Sequence, residues 1–325
     1  MPIQDQEHPD LDVIIDCDTG TDDAVELLTA FGIPGVRVLA VTCVDGNVGV
    51  DAVVRNTLGV LDAADAPDVP VARGCPVPLA QPTPDASWVH GDNGLGGIAL
   101  PETSRAAVPL HAVELLRTTL TAADRPVTVV ATGPLTNLAV LFTCYPEVKE
   151  KIGRIVVMGG SAAVGGNSDA TAEFNFFHDP EAAEIVLRTG PNVWLYGLDV
   201  FNSVTVPAEQ VRKLVEHTEP AARLAGNLLT GMGKTWNRVD PVLGDTGAFL
   251  VAVWPELAQV SAHRTTVELH GAYTRGMSVV DRRADEDLPP YTDTSWSAVT
   301  VVWSVDEDAL RGRLMDALLR PRTRR

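Results

Sequence analysis

Basic side chains are scarce in this 325-residue chain. It has 25 lysine and arginine residues against 43 aspartate and glutamate residues, so its formal net charge is −18 and its isoelectric point lies near 4.7. Nucleic acid polymers and anionic membranes are bound mainly through lysine and arginine. The charge balance therefore argues against a nucleic acid polymer or a membrane as a partner.

Cysteine is equally scarce. The four cysteines, Cys17, Cys43, Cys75 and Cys144, are widely spaced, form no CxxC pair, and each lies in or beside an apolar stretch. This spacing excludes a zinc framework or a disulfide framework and is typical of buried thiols in a reducing compartment. We predict that all four are core residues.

We expect neither a secretion signal nor a membrane-spanning segment in this chain. The first ten residues, "MPIQDQEHPD", are acidic and polar where a signal peptide needs a basic region followed by an apolar one. The longest uncharged run, at residues 127–145, is interrupted by Gly-Pro and Thr-Asn, which favours a strand, a turn and a buried helix over a membrane span. We expect a cytoplasmic protein.

What the chain does contain is a regular alternation of apolar runs and helical segments. The run at residues 13–15 precedes "DDAVELLTAFG", whose acidic first turn and terminal glycine are typical of a helix. The same order recurs after "VRVLAVTCV", "VTVVAT", "RIVVMGG" and "VWLYGLDV". This alternation predicts an α/β fold with a mostly parallel, doubly wound, Rossmann-like sheet that is covered by helices on both faces.

The last third of the chain departs from this alternation. "RTTVELHGAYTRGMSVVD" and "SAVTVVWSV" read as additional C-terminal strands before a final helix. These strands could extend the sheet or form a lobe. We predict a single domain spanning residues 1–325, with flexible tails at 1–10 and 320–325.

Polar side chains are concentrated where the predicted strands end. Parallel α/β sheets form their binding sites at the carboxyl ends of their strands, so these side chains are expected to meet. They are Asp16, Asp18, Asp22 and Asp23 after the first strand, Asp45 and Asn47 after the second, then Thr132 and Asn137, and finally Asn167, Glu173 and Asn175.

Four aspartates within eight positions repel one another unless protons or a cation neutralise them. All nearby ligand groups are oxygens, which favours Ca²⁺ or Mg²⁺, and Ca²⁺ tolerates irregular coordination better. The alternative is that Asp22 or Asp23 is a helix cap. A cap is the better explanation for any one aspartate, whereas the group of four favours a metal.

The segment "GGNSDATAEFN" sets two amides beside one carboxylate, at Asn167, Glu173 and Asn175. Such a set suits a polyol, because each group can bind hydroxyls without demanding a charged ligand. A sugar is therefore one interpretation. A polar, glycine-rich turn followed by a helix cap is the other, and this segment alone does not separate them.

Six segments together resemble the inosine-uridine preferring nucleoside hydrolase family. They are "DCDTGTDDA", "VDGN", "HGDNGLGG", "TGPLTNLA", "VMGGSAAVGGNSDATAEFNFFHDPEAA" and "TRGMSVVD", and they follow the family's order from residue 12 to about residue 281. The resemblance implies hydrolysis of the N-glycosidic bond of ribonucleosides to free base and ribose. It also implies a homodimer or homotetramer.

The resemblance also implies roles for individual residues. Asp18 would be the general base that activates the attacking water. The Ca²⁺ ligands would be Asp18, Asp23, the backbone carbonyl of Thr132, and Asp245. The ribose-binding residues would be Asp22, Asn47, Asn167, Glu173 and Asn175. Asp16 would support the loop rather than contact the substrate.

One position departs from the family's pattern. The subfamily that acts on inosine and uridine has a histidine before the last metal-binding aspartate, where it is thought to protonate the departing base. This chain has Gly244 there. The base-side candidates are Trp88, His90 and Trp236, which could stack on a purine as in another branch of the family. Packing in the core is the alternative for either tryptophan. Purine nucleosides are accordingly the favoured substrates.

The sequence leaves two other functions open. "IIDCDTG" carries the Asp-x-Asp of a haloacid-dehalogenase-type phosphatase, but that chemistry needs a lysine near the strand ends. The lysines lie elsewhere, at Lys149, Lys151, Lys213 and Lys234. The second alternative is a non-catalytic ribose or nucleoside binder derived from a hydrolase, an interpretation that rests on Gly244.

Overall fold

A computed structural model describes residues 10–83, 91, 93–100, 102–293 and 295–322. Within these ranges the strands form one nine-stranded sheet with the order β3-β2-β1-β4-β5-β6-β9-β7-β8. The strands are β1 (Leu11–Cys17), β2 (Val36–Cys43), β3 (Val71–Arg73), β4 (Val127–Ala131), β5 (Ile152–Met158), β6 (Val193–Tyr196), β7 (Ala258–Val267), β8 (Ser278–Asp281) and β9 (Ser297–Val305).

The sheet is parallel from β3 through to β9, and β7 pairs antiparallel with both β9 and β8. The two late segments therefore extend the sheet instead of forming a lobe. The order of the first six strands reverses between β1 and β4, which is the point at which an open α/β sheet leaves a crevice for a ligand.

Helices lie on both faces of the sheet, as predicted. The α-helices are α1 (Thr21–Ala30), α2 (Val50–Ala63), α3 (Ala112–Ala122), α4 (Thr136–Cys144), α5 (Phe174–His178), α6 (Pro180–Thr189), α7 (Leu198–Phe201), α8 (Ala208–Val215), α9 (Pro220–Thr235), α10 (Asp245–Val253) and α11 (Glu307–Leu319). Short 3-10 helices occupy Pro146–Lys151, Pro255–Leu257 and Asp285–Asp287.

Two apolar cores sandwich the sheet. Val13 and Ile15 of β1 face a core shared with α1, α2, α9, α10 and α11. Ile14, which points to the opposite face, packs in a second core with α3, α4 and α6. Because alternate residues of one strand are buried on opposite faces, β1 reads as a continuous apolar run.

Two sequence-based expectations need correction. The segment "VWLYGLDV" is a strand only as far as Tyr196, and Leu198–Phe201 is a helical turn in which the Phe201 amide donates to the Gly197 carbonyl. The prediction that every cysteine is a core residue was wrong for Cys144, which is exposed at the end of α4, and for half-buried Cys75. Cys17 and Cys43 are buried. No helix in the described ranges could cross a membrane.

Candidate active site and metal centre

Asp16 stands at the carboxyl end of β1 and ties three elements together. Its Oδ1 accepts hydrogen bonds from Thr42 Oγ1 at 2.5 Å and from Asn137 Nδ2 at 2.8 Å. The side chain is fully buried, and burial raises the pKa of this carboxyl to about 6. Asp16 thus anchors the loop after β1 to β2 and α4.

Asp18 is held by the loop that follows β2. Its Oδ2 accepts from the Asn47 amide at 2.8 Å, and its Oδ1 accepts from Asn47 Nδ2 at 3.1 Å. This loop can approach because residue 46 is glycine: a Cβ there would lie 2.0 Å from Asp18 Oδ2. Burial, followed by the charge of Asp23, raises the pKa of Asp18 well above its usual value. A carboxyl group with a raised pKa accepts a proton more readily.

The N-termini of α1 and α10 bring three carboxylates together. One oxygen from each of Asp22, Asp23 and Asp245 lies within 4.8 Å of the others, and all three residues are buried. Asp23 also accepts from the Gly20 amide at 2.8 Å, so it has the helix-capping contact that was considered as the alternative. Capping alone does not explain why Asp245, which comes from a distant part of the chain, lies beside Asp22 and Asp23.

The donor set fits a divalent cation. Oδ1 of Asp22 has no hydrogen-bond partner within the described part of the chain. Burial, followed by the charge of Asp22, raises the pKa of Asp245 well above its usual value. Buried carboxylates that crowd one another in this way are ionised together only if a cation neutralises them. An all-oxygen set of this kind is the one that hard cations prefer.

Thr132 lies at the end of β4 and joins the carboxylate cluster to the neighbouring strands. Its hydroxyl lies 3.2 Å from Asp23 Oδ1 and 3.1 Å from Glu26 Oε2. Its amide donates to the Asp16 carbonyl, and its own carbonyl accepts from Asn175 Nδ2 at 2.9 Å. The sequence-based interpretation missed Glu26. Its spacing of four residues from Asp22 places both on one helix face, which was an available signal.

Glu173 and Asn175 form a buried turn at the start of α5. Glu173 caps this helix by accepting from the amides of Asn175 at 2.9 Å and Phe176 at 3.2 Å, and also from the Gly160 amide at 3.0 Å. Burial raises the pKa of Glu173 to about 7. Asn175 Nδ2 donates to the carbonyls of Thr132 and Met158, which end β4 and β5.

Asn167 is placed differently from these two residues. It is exposed in the loop between β5 and α5, where its amide donates to the Ala172 carbonyl at 3.2 Å. Within the described residues its side chain makes no hydrogen bond to the other site candidates. The cap interpretation of "GGNSDATAEFN" therefore holds for Glu173 and does not by itself account for Asn167.

A second buried contact connects the Asn47 loop to α5. His178 Nε2 lies 3.2 Å from Asp45 Oδ2, and both residues are buried. Thr83 Oγ1 donates to the same Asp45 oxygen at 3.1 Å. The loop after β2 and the helix after Glu173 are thus held in fixed relation. His178 lies within a segment that resembles the family, but no role was assigned to it from the sequence because its contact with Asp45 joins residues far apart in the chain.

The space beside Gly244 is filled by an aromatic ring. A Cβ on Gly244 would lie 2.3 Å from Phe201 Cε2 and 3.0 Å from Asp22 Oδ2. The Phe201 ring packs against Trp236, with ring centroids 5.6 Å apart and an interplanar angle of 40°. Trp236 is half-buried and packs against the core, so the core-packing alternative holds for part of its surface. Trp88 and His90, the other base-side candidates, lie outside the described residues.

Comparisons with known proteins give matches over most of the chain. A family model described as inosine-uridine preferring nucleoside hydrolase matches residues 13–312. The pyrimidine-specific ribonucleoside hydrolase RihA of Salmonella typhi is 40% identical over 276 residues, which are 83% of this chain and 88% of that protein. The plant nucleoside hydrolase PpNRh1 has a TM-score of 0.89 at 27% identity and covers 96% of this chain and 100% of its own. An inosine-guanosine nucleoside hydrolase has a TM-score of 0.86 at 31% identity, covering 94% and 98%.

Proposed function

The chain belongs to the inosine-uridine preferring nucleoside hydrolase family and is an N-ribohydrolase, and we propose that it acts with Ca²⁺ on ribonucleosides, with purine nucleosides slightly favoured. The observation that carries the proposal is the buried cluster of Asp22, Asp23 and Asp245 beside Asp18, at the point where the strand order reverses. Family membership sets aside the phosphatase, and the cleavage assay below separates the hydrolase from a non-catalytic binder derived from one.

The proposed Ca²⁺ ligands are Asp18, Asp23, the backbone carbonyl of Thr132, and Asp245. Ca²⁺ is favoured over Zn²⁺ because every donor is an oxygen, and over Mg²⁺ because carboxylates and a carbonyl from three separate elements make an irregular set. When bound, a divalent ion supplies positive charge that offsets the carboxylates and makes water easier to deprotonate. Thr132 is well suited to this role since both its amide and its hydroxyl are fixed by hydrogen bonds.

Asp18 is the proposed general base. It is buried, Asn47 orients both of its oxygens, and a bound cation would keep its carboxylate ionised. A carboxylate in this state can take a proton from the water that attacks the anomeric carbon of ribose. Loss of the base builds positive charge on the ribose, and a site lined by carboxylates stabilises that charge.

The ribose is proposed to lie between two walls. Asp22 and Asn47 form one wall, and Asp22 Oδ1 is an acceptor without a partner among the described residues. The other wall consists of Asn167, Glu173 and Asn175. Hydroxyl groups held on both sides would be positioned for attack, which contributes to the rate by orientation.

The preference for purines rests on Trp236, which is half-buried and packs against the buried Phe201 ring beside Gly244. Aromatic rings bind flat bases by stacking, and a purine offers the larger face. The relatives differ on this point: one similar structure is by name an inosine-guanosine hydrolase, whereas RihA is by name pyrimidine-specific. Trp236 is the feature of this chain that favours the purine.

The test is incubation of the purified protein with inosine, guanosine, uridine and cytidine, followed by chromatography of free base and ribose. We expect cleavage of all four, faster for the purines, with about one calcium per chain in protein purified without chelator. Cleavage of pyrimidine nucleosides alone would contradict the purine preference. Stoichiometric zinc without calcium would overturn the metal assignment.

A further inference from the structure

Glu26 is a buried carboxylate that the proposed reaction does not use. It lies in α1, one turn after Asp22 and Asp23, and none of its surface is exposed. One oxygen, Oε2, lies 3.1 Å from the Thr132 hydroxyl, and the other, Oε1, has no hydrogen-bond partner among the residues described. No arginine or lysine in the described ranges forms an ion pair with it.

Retaining a carboxylate here is energetically unfavourable for the fold. Every residue of α1 is buried, and the neighbours of Glu26 on its own helix face include Asp22 and Asp23, so its carboxyl group is shielded from solvent and crowded by other acidic groups. Burying a carboxyl group with an unpartnered oxygen costs roughly 1 to 3 kcal/mol or more. Glu26 therefore needs an explanation other than core packing.

The contact with Thr132 supplies one. The Thr132 hydroxyl lies between two carboxyl groups, Asp23 on one side and Glu26 on the other. A hydroxyl can donate to one carboxylate and accept from a protonated carboxyl group, so contacts on both sides fix its rotamer. Since the Thr132 amide and carbonyl are also bonded, Glu26 completes the set of contacts that immobilise this residue.

Glu26 acts through Thr132 and not as a direct ligand. Its Oε2 is directed to the Thr132 hydroxyl at 3.1 Å. The same Thr132 hydroxyl lies 3.2 Å from Oδ1 of Asp23, which is a proposed ligand. This is the arrangement of an outer partner that orients the groups around a metal ion.

We propose that Glu26 is a positioning residue of the metal centre, which holds the Thr132 hydroxyl and through it fixes Asp23 and the Thr132 carbonyl toward the ion. This inference rests on the proposed function, since it requires a divalent cation at the carboxylate cluster. The role depends on the hydrogen bond to Thr132. A glutamine at position 26 can make the same bond, whereas an alanine cannot.

The experiment is calorimetric titration of Ca²⁺ into chelator-treated full-length protein. We expect Glu26→Ala to raise the Kd for Ca²⁺ by about 10- to 100-fold, as is usual for loss of an outer partner. Glu26→Gln should remain close to the unsubstituted protein. Thr132→Val, which removes only the hydroxyl, should weaken binding as much as Glu26→Ala, and the double variant should be no worse than either single one.

The matched control is Glu184→Ala. Glu184 also accepts a hydrogen bond from a threonine hydroxyl, Thr266 Oγ1 at 2.9 Å, but it joins α6 to β7 away from the cluster. It should leave the Kd for Ca²⁺ unchanged. Thermal unfolding in chelator shows whether each variant is folded. If Glu26→Ala does not fold, the comparison of Glu26→Gln with Thr132→Val still tests the inference.

Three results would overturn the inference: unchanged Ca²⁺ affinity in Glu26→Ala, equally weak binding in Glu26→Gln and Glu26→Ala, or additive losses in the double variant. These results are distinct from failure of the proposed function. If the unsubstituted protein bound no Ca²⁺, or bound it without cleaving any nucleoside, the proposed function would be wrong whatever position 26 contained.

Discussion

The ring of Phe201 occupies the space in which a side chain at Gly244 would begin, with Phe201 Cε2 only 2.3 Å from the position of a Cβ on residue 244. The family resemblance implies that a histidine at this position would supply the acid that Gly244 lacks. The Phe201 ring can occupy this position because residue 244 has no side chain. A histidine at position 244 therefore requires the Phe201 ring to be displaced or removed.

We expect Gly244→His alone to be destabilised by roughly 1 to 3 kcal/mol, the usual cost of overpacking a tight site, and to have little activity. The double variant Phe201→Ala/Gly244→His should lose less free energy of unfolding than the two single variants lose in total. It should also cleave inosine and uridine faster than Phe201→Ala alone. Urea unfolding and steady-state rates measure both effects. A stable and active Gly244→His single variant would show that Phe201 moves aside easily.

Asp18→Asn should abolish turnover while ribose-containing ligands still bind. The amide keeps the shape of the carboxylate but cannot take a proton from water, and general base catalysis is typically worth about 10²- to 10⁴-fold in rate. Rates and equilibrium binding of a nucleoside to the same preparation give the comparison. Wild-type turnover in this variant would remove Asp18 from the role of base.

An activated substrate should expose the lack of an acid at position 244. p-Nitrophenyl riboside has a leaving group that departs without a proton, so it should be cleaved faster than inosine, guanosine or uridine, by up to about 10²- to 10⁴-fold. Trp236→Ala should slow inosine and guanosine more than p-nitrophenyl riboside. Trp303→Ala is the matched control, because Trp303 bonds to Ser261 in the C-terminal strands. Inosine and uridine cleaved as fast as the activated riboside would mean that an efficient acid lies elsewhere.

Metal-free protein should lose stability as the pH rises from about 4.5 to 7. Burial raises the pKa of Glu173 to about 7 and that of Asp16 to about 6, so the folded state holds these protons when the unfolded chain has released them. At about 1.4 kcal/mol per pH unit, Glu173 alone would account for roughly 3 kcal/mol across that range. Below about pH 4 the slope should reverse, because paired Arg125 and Arg37 lower the pKa of Asp12.

Urea unfolding in chelator at several pH values measures this decline. Glu173→Gln should flatten it, whereas Glu209→Gln, an exposed carboxylate beside Lys213, should not. Excess Ca²⁺ should oppose the decline, since binding requires ionised carboxylates and so strengthens as the pH rises. Stability that instead increased from pH 5 to 7 without metal would show that the buried carboxyl groups are ionised in the folded protein.

Much of the site was predictable because its components are local in the sequence. Asp16, Asp18, Asp22 and Asp23 follow one strand directly, so alternation of strand and helix was enough to place them together. The same reasoning identified the parallel sheet and the position of Thr132 after β4. Asp245 was different: its place in the cluster was implied by family resemblance, since nothing near it in the chain indicates a strand end.

Other features were decided only when distant segments packed together. Glu26 reads as an ordinary residue of α1 until β4 brings the Thr132 hydroxyl to it. Phe201 directly follows the segment "VWLYGLDV", and nothing in the sequence indicates that α7 places its ring in the space at Gly244. The sequence by itself determined the order of strands and helices and the carboxylates at their ends, because hydrophobic period and chain proximity are local properties. The tertiary structure decided which of those carboxylates lie against one another. It also decided that the Phe201 ring fills the space at Gly244. Both outcomes depend on packing between elements that are far apart in the chain.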